Sequence, residues 1–305
     1  MTPIAPILPE GVNLEELLAN LRKLSWGAAD ILMAYARDET PPYGFSRELK
    51  VQESIDGPVS AADLAVNAWL LDGLEAHFPS APWKLLSEET AKGQLIERET
   101  CDSEWLWILD PLDGTKDFLA GNGEYAVHLA LVRGHRPVLG VVLIPELEEL
   151  WLGVLGLDAW CEDRLGNRKT FCFSKRSYLN DLILVASRNH RDERLEHLIS
   201  QLSICEAKAV GSVGCKVATI LRGETDLYIS LSGKTAPKDW DLAAPEILLC
   251  SAGGAFTHAD GRELTYNTGD LLQKGCLIAS HGLNHSLICQ MTLKEIGLID
   301  PSFIV

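Results

Sequence analysis

The order of elements written into the sequence predicts an α/β protein, α+β through its first half and α/β through its second. Three observations carry that reading. Two amphipathic helical stretches come first, five short apolar strands follow, and from Leu182 strands and helices alternate. The boundary falls near residue 180, giving an α+β domain over 1–180 and an α/β domain over 181–305, and no internal repeat is visible.

Asn13 to about Arg37 reads as a helix, because Leu14, Leu17, Leu18, Leu21, Leu24, Ile31, Leu32 and Tyr35 recur near the 3.6 period. Asn13 caps its first turn, with Glu16 placed to reach back. The stretch DETPPYGFSRELKVQESIDGP is polar, bears prolines and lacks periodicity, so it reads as a loop. A second helix runs from Ser60 to about Phe78 and is expected to bury Leu64, Ala65, Leu71, Leu74 and Phe78. Strands follow at Lys84–Leu86, Trp105–Leu109, Tyr125–Val132, Val138–Ile144 and Leu150–Gly153, with RGHRP as a hairpin loop. The second half reads as strand LILVAS, helices at 192–202 and 212–222, strand 226–230, helix 240–251 and strand 254–258.

Composition narrows the function. Of 305 residues 47% are hydrophobic, which excludes a disordered chain. Acids outnumber bases, 43 to 27, for a formal charge of −16. So acidic a surface repels duplex phosphate, and no nucleic-acid polymer is expected as a partner. A small anionic substrate stays compatible if metal ions reverse the sign locally. No apolar run reaches the roughly 18–20 residues of a membrane helix. The start, MTPIAPILPEGVNLEELL, lacks the basic and apolar pattern of a secretory signal, so a cytoplasmic location without membrane contact is expected.

Eight cysteines, at 101, 161, 172, 205, 215, 250, 276 and 289, form no CxxC pair and read as reduced thiols. Cys250 and Cys276 lie in apolar company that suits a core. His281 and His285 have the spacing of a helical metal pair. HGLNH lacks the Glu of a zincin, however, and its Gly and Asn suit a loop of surface histidines.

Three acidic clusters remain. Glu88-Glu89 follows a short strand. Asp110 and Asp113 flank a stiff proline turn in DPLDGTKDF, where the Leu112 carbonyl can share their space and Gly114 frees the backbone for an anion nest. Asp241 stands at a helix start in WDLAAPE, where it can also serve as a cap. Hard oxygen ligands beside free amides are what Mg²⁺ with phosphate requires.

Taken together, Glu-Glu after a strand, D-P-L-D-G-T some twenty residues later and W-D-x-A-A further on resemble the inositol monophosphatase superfamily. The motif VSAADLAVN resembles it too. The resemblance implies a layered αβαβα sandwich of the inositol monophosphatase and sugar phosphatase type. It implies a Mg²⁺-dependent, commonly lithium-sensitive phosphomonoesterase acting on a small phosphorylated molecule, with two or three Mg²⁺ and a monomeric or homodimeric chain. Carried over, it assigns Glu88, Asp110, the Leu112 carbonyl, Asp113 and Asp241 to the metals. Thr115 with Glu88 would orient the attacking water beside Asp63, although Ser60-x-x-Asp63 also reads as a capping box. The amides of Gly114 and Thr115 would hold the phosphate. Relatives often carry a Lys shortly before the V-T/S-x-x-D motif; here Lys50 lies thirteen residues before Asp63.

The runs GTKDF, SGKTAPKDWDLAAPE and GSVGCK resemble the bisphosphate nucleotidase branch, which removes the 3′-phosphate of adenosine 3′,5′-bisphosphate. In that reading Lys116, Lys216, Lys234 and Lys238 supply charge for the second phosphate, Ser212 lies near the nucleotide, and Arg188 is a further candidate. Two alternatives stand beside it. One is an inositol or broad sugar-phosphate phosphatase of the same fold; the other is an inactive, metal-stabilised nucleotide-binding protein.

Overall fold

The computed structural model describes residues 8–54, 57–92, 102–189, 191–232, 236–300 and 303. Helix α1, Leu14–Ala36, opens where Asn13 accepts the Glu16 N–H at 3.1 Å. The hairpin β1, Val51–Ser54, and β2, Gly57–Ser60, then leads into α2, Ala61–His77. Ser60 and Asp63 close a full capping box at the start of α2. Its buried stripe is Ala62, Ala65, Val66, Leu70 and Leu74, so Leu64, on the opposite side of the helix, is exposed rather than buried.

The first sheet has seven strands in sequence order. They are β3 (Trp83–Ser87), β4 (Trp105–Asp113), β5 (Ala126–Arg133), β6 (Arg136–Ile144), β7 (Glu149–Val154), β8 (Ala159–Glu162) and β9 (Arg168–Lys169). β3 and β4 are parallel and the rest pair antiparallel. The short α3, Glu88–Ala91, follows β3, and α4, Thr115–Leu119, follows β4.

Both faces of this sheet are covered, which is why WLWIL and AVHLALV read as continuous apolar runs instead of alternating ones. Trp107, Leu109, Val127 and Leu129 pack under α1 and α2. Leu106, Ile108, Ala126 and Ala130 face the other way, onto α6, Val213–Leu221, and α7, Asp239–Ser251.

The second sheet has order β11-β10-β12-β14-β13, from β10 (Ile183–Ser187), β11 (Glu206–Val210), β12 (Leu227–Leu231), β13 (Ala255–His258) and β14 (Cys276–Ser280). One face joins α6 and α7 through Val185, Tyr228, Phe256 and Leu277. The other packs Leu184, Ile229 and Ile278 against α5, Glu193–Gln201, and α8, His285–Ile299. The layers are therefore α1/α2, sheet, α6/α7, sheet and α5/α8, the αβαβα sandwich expected.

Three expectations are corrected. α8 begins at His285, inside the stretch read as a loop, and His281 is buried with its Nε2 2.9 Å from the Arg176 carbonyl. His285 instead meets Thr257 and Ser280, so the pair does not converge as metal ligands or lie as surface histidines. Cys276 is buried, but Cys250 is exposed at the end of α7. The seven described cysteines are free, and Cys101 lies outside the described residues. Among the described residues no helix is long and apolar enough to cross a membrane.

Candidate active site

Residues three apart on a regular strand point to opposite faces of a sheet. The pairing of β4 with β5 shifts between Asp110, opposite His128, and Asp113, opposite Ala126. That one-residue bulge brings both aspartates to the same face. The turn is held locally, since Asp110 accepts the Leu112 N–H at 3.0 Å. Gly114 ends it at φ +93°, where a Cβ would also stand 2.9 Å from the Glu124 carbonyl. Asp241 comes from the first turn of α7, where it accepts the Lys238 N–H at 2.7 Å. One carboxylate oxygen from each of Asp110, Asp113 and Asp241 lies within 4.8 Å of the others.

At that spacing each ionised pair repels by roughly 3–4 kcal/mol at an effective dielectric of about 20. Burial, with the charges of Glu88, Asp113 and Asp241, drives Asp110 well above the usual carboxylate range. Burial, with Asp113 and Glu88, pushes Asp241 up to about 7. Glu88 opens α3 against Asp110 and is raised by burial, while the ammonium of Lys92, 3.1 Å away, acts in the opposite sense. Carboxylates so crowded favour a divalent cation bound through hard oxygens, so the donor set fits Mg²⁺.

Thr115 stands beside this cluster, its hydroxyl 3.0 Å from Asp63 Oδ1 and 3.1 Å from the Leu112 carbonyl. The other oxygen of Asp63 accepts the Ser60 N–H at 2.8 Å and the Ser60 hydroxyl at 2.6 Å. Asp63 thus both closes the capping box of Ser60 and partners Thr115; the two readings of that motif are one arrangement.

The substrate candidates divide. Lys116 is exposed at the start of α4. Lys238 lies at the N-cap of α7 with its ammonium over the Trp240 ring, 5.5 Å from the centroid. Arg188, at the end of β10, is bound to Glu124 at 2.6 Å and Asp117 at 3.3 Å. Ser212 and Lys216 are both buried. Ser212 is buried and donates to Asp113 Oδ2 at 2.6 Å. Lys216 is buried with its ammonium on the Gly211 carbonyl and over Tyr228. Lys234 lies outside the described residues. Lys50 returns to the start of α2 through its backbone alone: its carbonyl accepts the Ala61 N–H at 2.7 Å, while its exposed ammonium lies on Glu48 at 3.3 Å.

Two neighbours of the site were not read from the sequence. Lys92 pairs with both Glu88 and Glu89, the latter at 2.6 Å. Its only sequence signal is the i, i+4 and i, i+3 spacing. His128 is fully buried on β5, 3.4 Å from Asp113 Oδ2, and in sequence it is a lone histidine in an apolar strand.

The inositol monophosphatase family model matches residues 13–296. The 3′(2′),5′-bisphosphate nucleotidase CysQ of Aggregatibacter actinomycetemcomitans is 34% identical over 73% of this chain and 80% of its own length. CysQ of Salmonella typhimurium is 32% identical over 82% of this chain and 94% of its own. Among solved structures, the IMPase of Thermotoga maritima superposes with a TM-score of 0.72 at 21% identity, covering 93% of this chain and 99% of that one. With a match over most of its length and the carboxylate bulge in place, the chain belongs to the inositol monophosphatase family.

Proposed function

We propose that this protein is a Mg²⁺-dependent phosphomonoesterase that removes the 3′-phosphate of adenosine 3′,5′-bisphosphate. The observation that carries the proposal is the convergence of Asp110, Asp113 and Asp241 beside the Thr115–Asp63 pair. The nucleotidase names of relatives above 30% identity support the substrate.

Asp110, Asp113, Asp241, Glu88 and the Leu112 carbonyl would hold the metal. Bound Mg²⁺ supplies Lewis acidity, charge neutralisation and a more acidic water. The chain's own residues do the rest. Asp63 fixes the Thr115 hydroxyl as a donor, which leaves a Thr115 lone pair to accept a hydrogen bond from the attacking water, with Glu88 as the water's second acceptor. The amides of Gly114 and Thr115 face the phosphate at the start of α4. The water oxygen bonds to phosphorus as the bond from phosphorus to the 3′-oxygen breaks; the proton the water gives up passes to Glu88 and from there to solvent, the 3′-oxygen takes one from solvent, and adenosine 5′-phosphate and phosphate depart. Lys116, exposed at the edge, offers charge to the phosphate that stays. Lithium sensitivity, two or three Mg²⁺ per chain and a cytoplasmic location belong to the same proposal, and the free thiols support a reducing compartment.

The test is phosphate release from adenosine 3′,5′-bisphosphate, inositol 1-phosphate and fructose 1,6-bisphosphate, with Mg²⁺ and after chelation. Release is expected to be greatest from the first and to vanish with chelation. Preference for inositol 1-phosphate would replace the nucleotidase with the broader phosphatase. No release from any of the three would leave an inactive binding protein.

A further inference from the structure

Asp113 uses its two oxygens differently. Oδ2 accepts the Ser212 hydroxyl at 2.6 Å and the Val213 N–H at 2.5 Å, with the Gly214 N–H at 3.4 Å. His128 Nε2 stands 3.4 Å from the same oxygen. Among the described residues no donor reaches Oδ1. One oxygen is therefore tied to the protein and the other is left for a cation, a division of labour common to metal-binding carboxylates.

The imidazole sits where three parts of the site meet. It lies on β5 directly opposite Asp110, and the alternation of the strand turns it to the same side as Ala126 and Ala130, small residues beneath α6 and α7. Its Nδ1 makes a long hydrogen bond, 3.4 Å, with the carbonyl of Trp240, the residue before Asp241. Space for it depends on Gly214, where a Cβ would stand 2.4 Å from Nε2. Nε2 is fully buried without a closed hydrogen bond.

Both atoms the ring faces, the Asp113 carboxylate and the Trp240 carbonyl, are acceptors, and a neutral ring has one N–H. The long bond from Nδ1 to Trp240 competes with a charge-assisted bond from Nε2 to the carboxylate that is roughly twice as strong, and a contraction of a few tenths of an ångström closes the latter.

We infer that His128 is a positioning residue for the metal site: as its Nε2–H tautomer it holds Asp113 Oδ2 and keeps Oδ1 turned toward the cation. The inference rests on the proposed metal role of Asp113. Removal of such an outer partner typically weakens metal binding ten- to a hundredfold.

Side chains of different reach separate this role from mere packing. Gln places an amide near the position of Nε2, Asn places one near Nδ1, and Leu fills space with neither. Calorimetric titration of the full chain with Mn²⁺ alone is expected to give His128→Gln within about threefold of wild type. His128→Asn and His128→Leu should bind about tenfold or more weakly. Equal affinity in all four proteins, or retention by Asn and not Gln, would overturn the inference. Wild type that takes up no Mn²⁺ would instead overturn the metal reading itself. Should the variants fold poorly, ¹⁵N imidazole resonances of the wild type decide: an Nε2–H tautomer whose shift moves on Mn²⁺-free Mg²⁺ addition is expected, and an Nδ1–H tautomer would overturn the inference.

Discussion

Thr115 has one hydroxyl proton and two acceptors within reach, Asp63 at 3.0 Å and the Leu112 carbonyl at 3.1 Å. In either case the hydroxyl donates into the protein and its lone pairs stay open to water. Thr115→Ser keeps that oxygen, whereas Thr115→Val keeps the shape without it. We expect kcat in Thr115→Val to fall roughly a hundredfold or more, within the range of positioned acid–base groups, and Thr115→Ser to stay within about tenfold. Equal kcat for the two, per folded molecule, would leave Thr115 as a turn residue only. At this scale the convergence of residues was legible wherever they share a short motif. Asp110, Asp113, Gly114 and Thr115 are adjacent, and the proline turn between the aspartates announced them. For Ser212 and Lys216 the sequence showed a hydroxyl and an ammonium near a motif but not their partners, which a motif does not announce. Ser212, the N-cap of α6, meets Asp113, and Lys216, one turn later, has its ammonium over Tyr228. His128 was invisible because an apolar strand with one histidine carries no spacing signal.

Helices with caps and strands buried on both faces were legible as elements, since a cap and a dense apolar run are local. Among the elements that were missed, the β1–β2 hairpin, β11, β14 and α8 were missed for definite reasons. The β1–β2 hairpin, VQES with GPVS, is half polar and shows no alternation, because it is a two-stranded ribbon outside either sheet. β11, EAKAV, is an edge strand whose side chains are largely outside the core. β14 was noticed as apolar but not as a strand, and α8 starts straight after a Gly-Leu-Asn turn that masks its cap. The hairpin matters to the site because β2 ends at Ser60, the cap of α2. Ser60→Ala removes the bonds from its hydroxyl to Asp63 and from the Ala62 N–H to that hydroxyl. It leaves the Ser60 N–H on Asp63 in place. A loss of about 1–2 kcal/mol in unfolding free energy is expected. Because Asp63 Oδ1 still meets Thr115, kcat should change by less than about threefold. A large fall in kcat without loss of stability would mean that the Ser60 hydroxyl, not its cap, serves the reaction.

The two halves share the middle layer, and α7 is fastened to the first sheet by a buried polar knot that no local pattern announces. Arg136 on β6 donates to Glu246 on α7 at 2.5 Å, across 110 residues of sequence, and Tyr266 donates to the other oxygen at 2.6 Å. Glu246 is almost wholly buried, and burial lifts its carboxyl from an ordinary 4.5 to about 7 despite Arg136. The folded protein therefore holds this proton more tightly than the unfolded chain does. Stability from that preference is complete below about pH 4.5, falls as pH rises, and is lost once pH passes 7. The amount at stake is of order 3 kcal/mol. Glu246→Gln keeps the shape and an oxygen for Tyr266 but carries no titrating group, so its own stability should not follow this course. Urea unfolding at pH 5 and pH 8, with metal chelated throughout, measures the contrast. The titrations of Asp110 and Asp241 are common to both proteins and cancel in the difference. Wild type should lose roughly 3 kcal/mol more than Glu246→Gln between the two pH values. Parallel losses would show that Glu246 stays ionised on Arg136 at both, and that the knot between the halves is an ion pair insensitive to pH in this range.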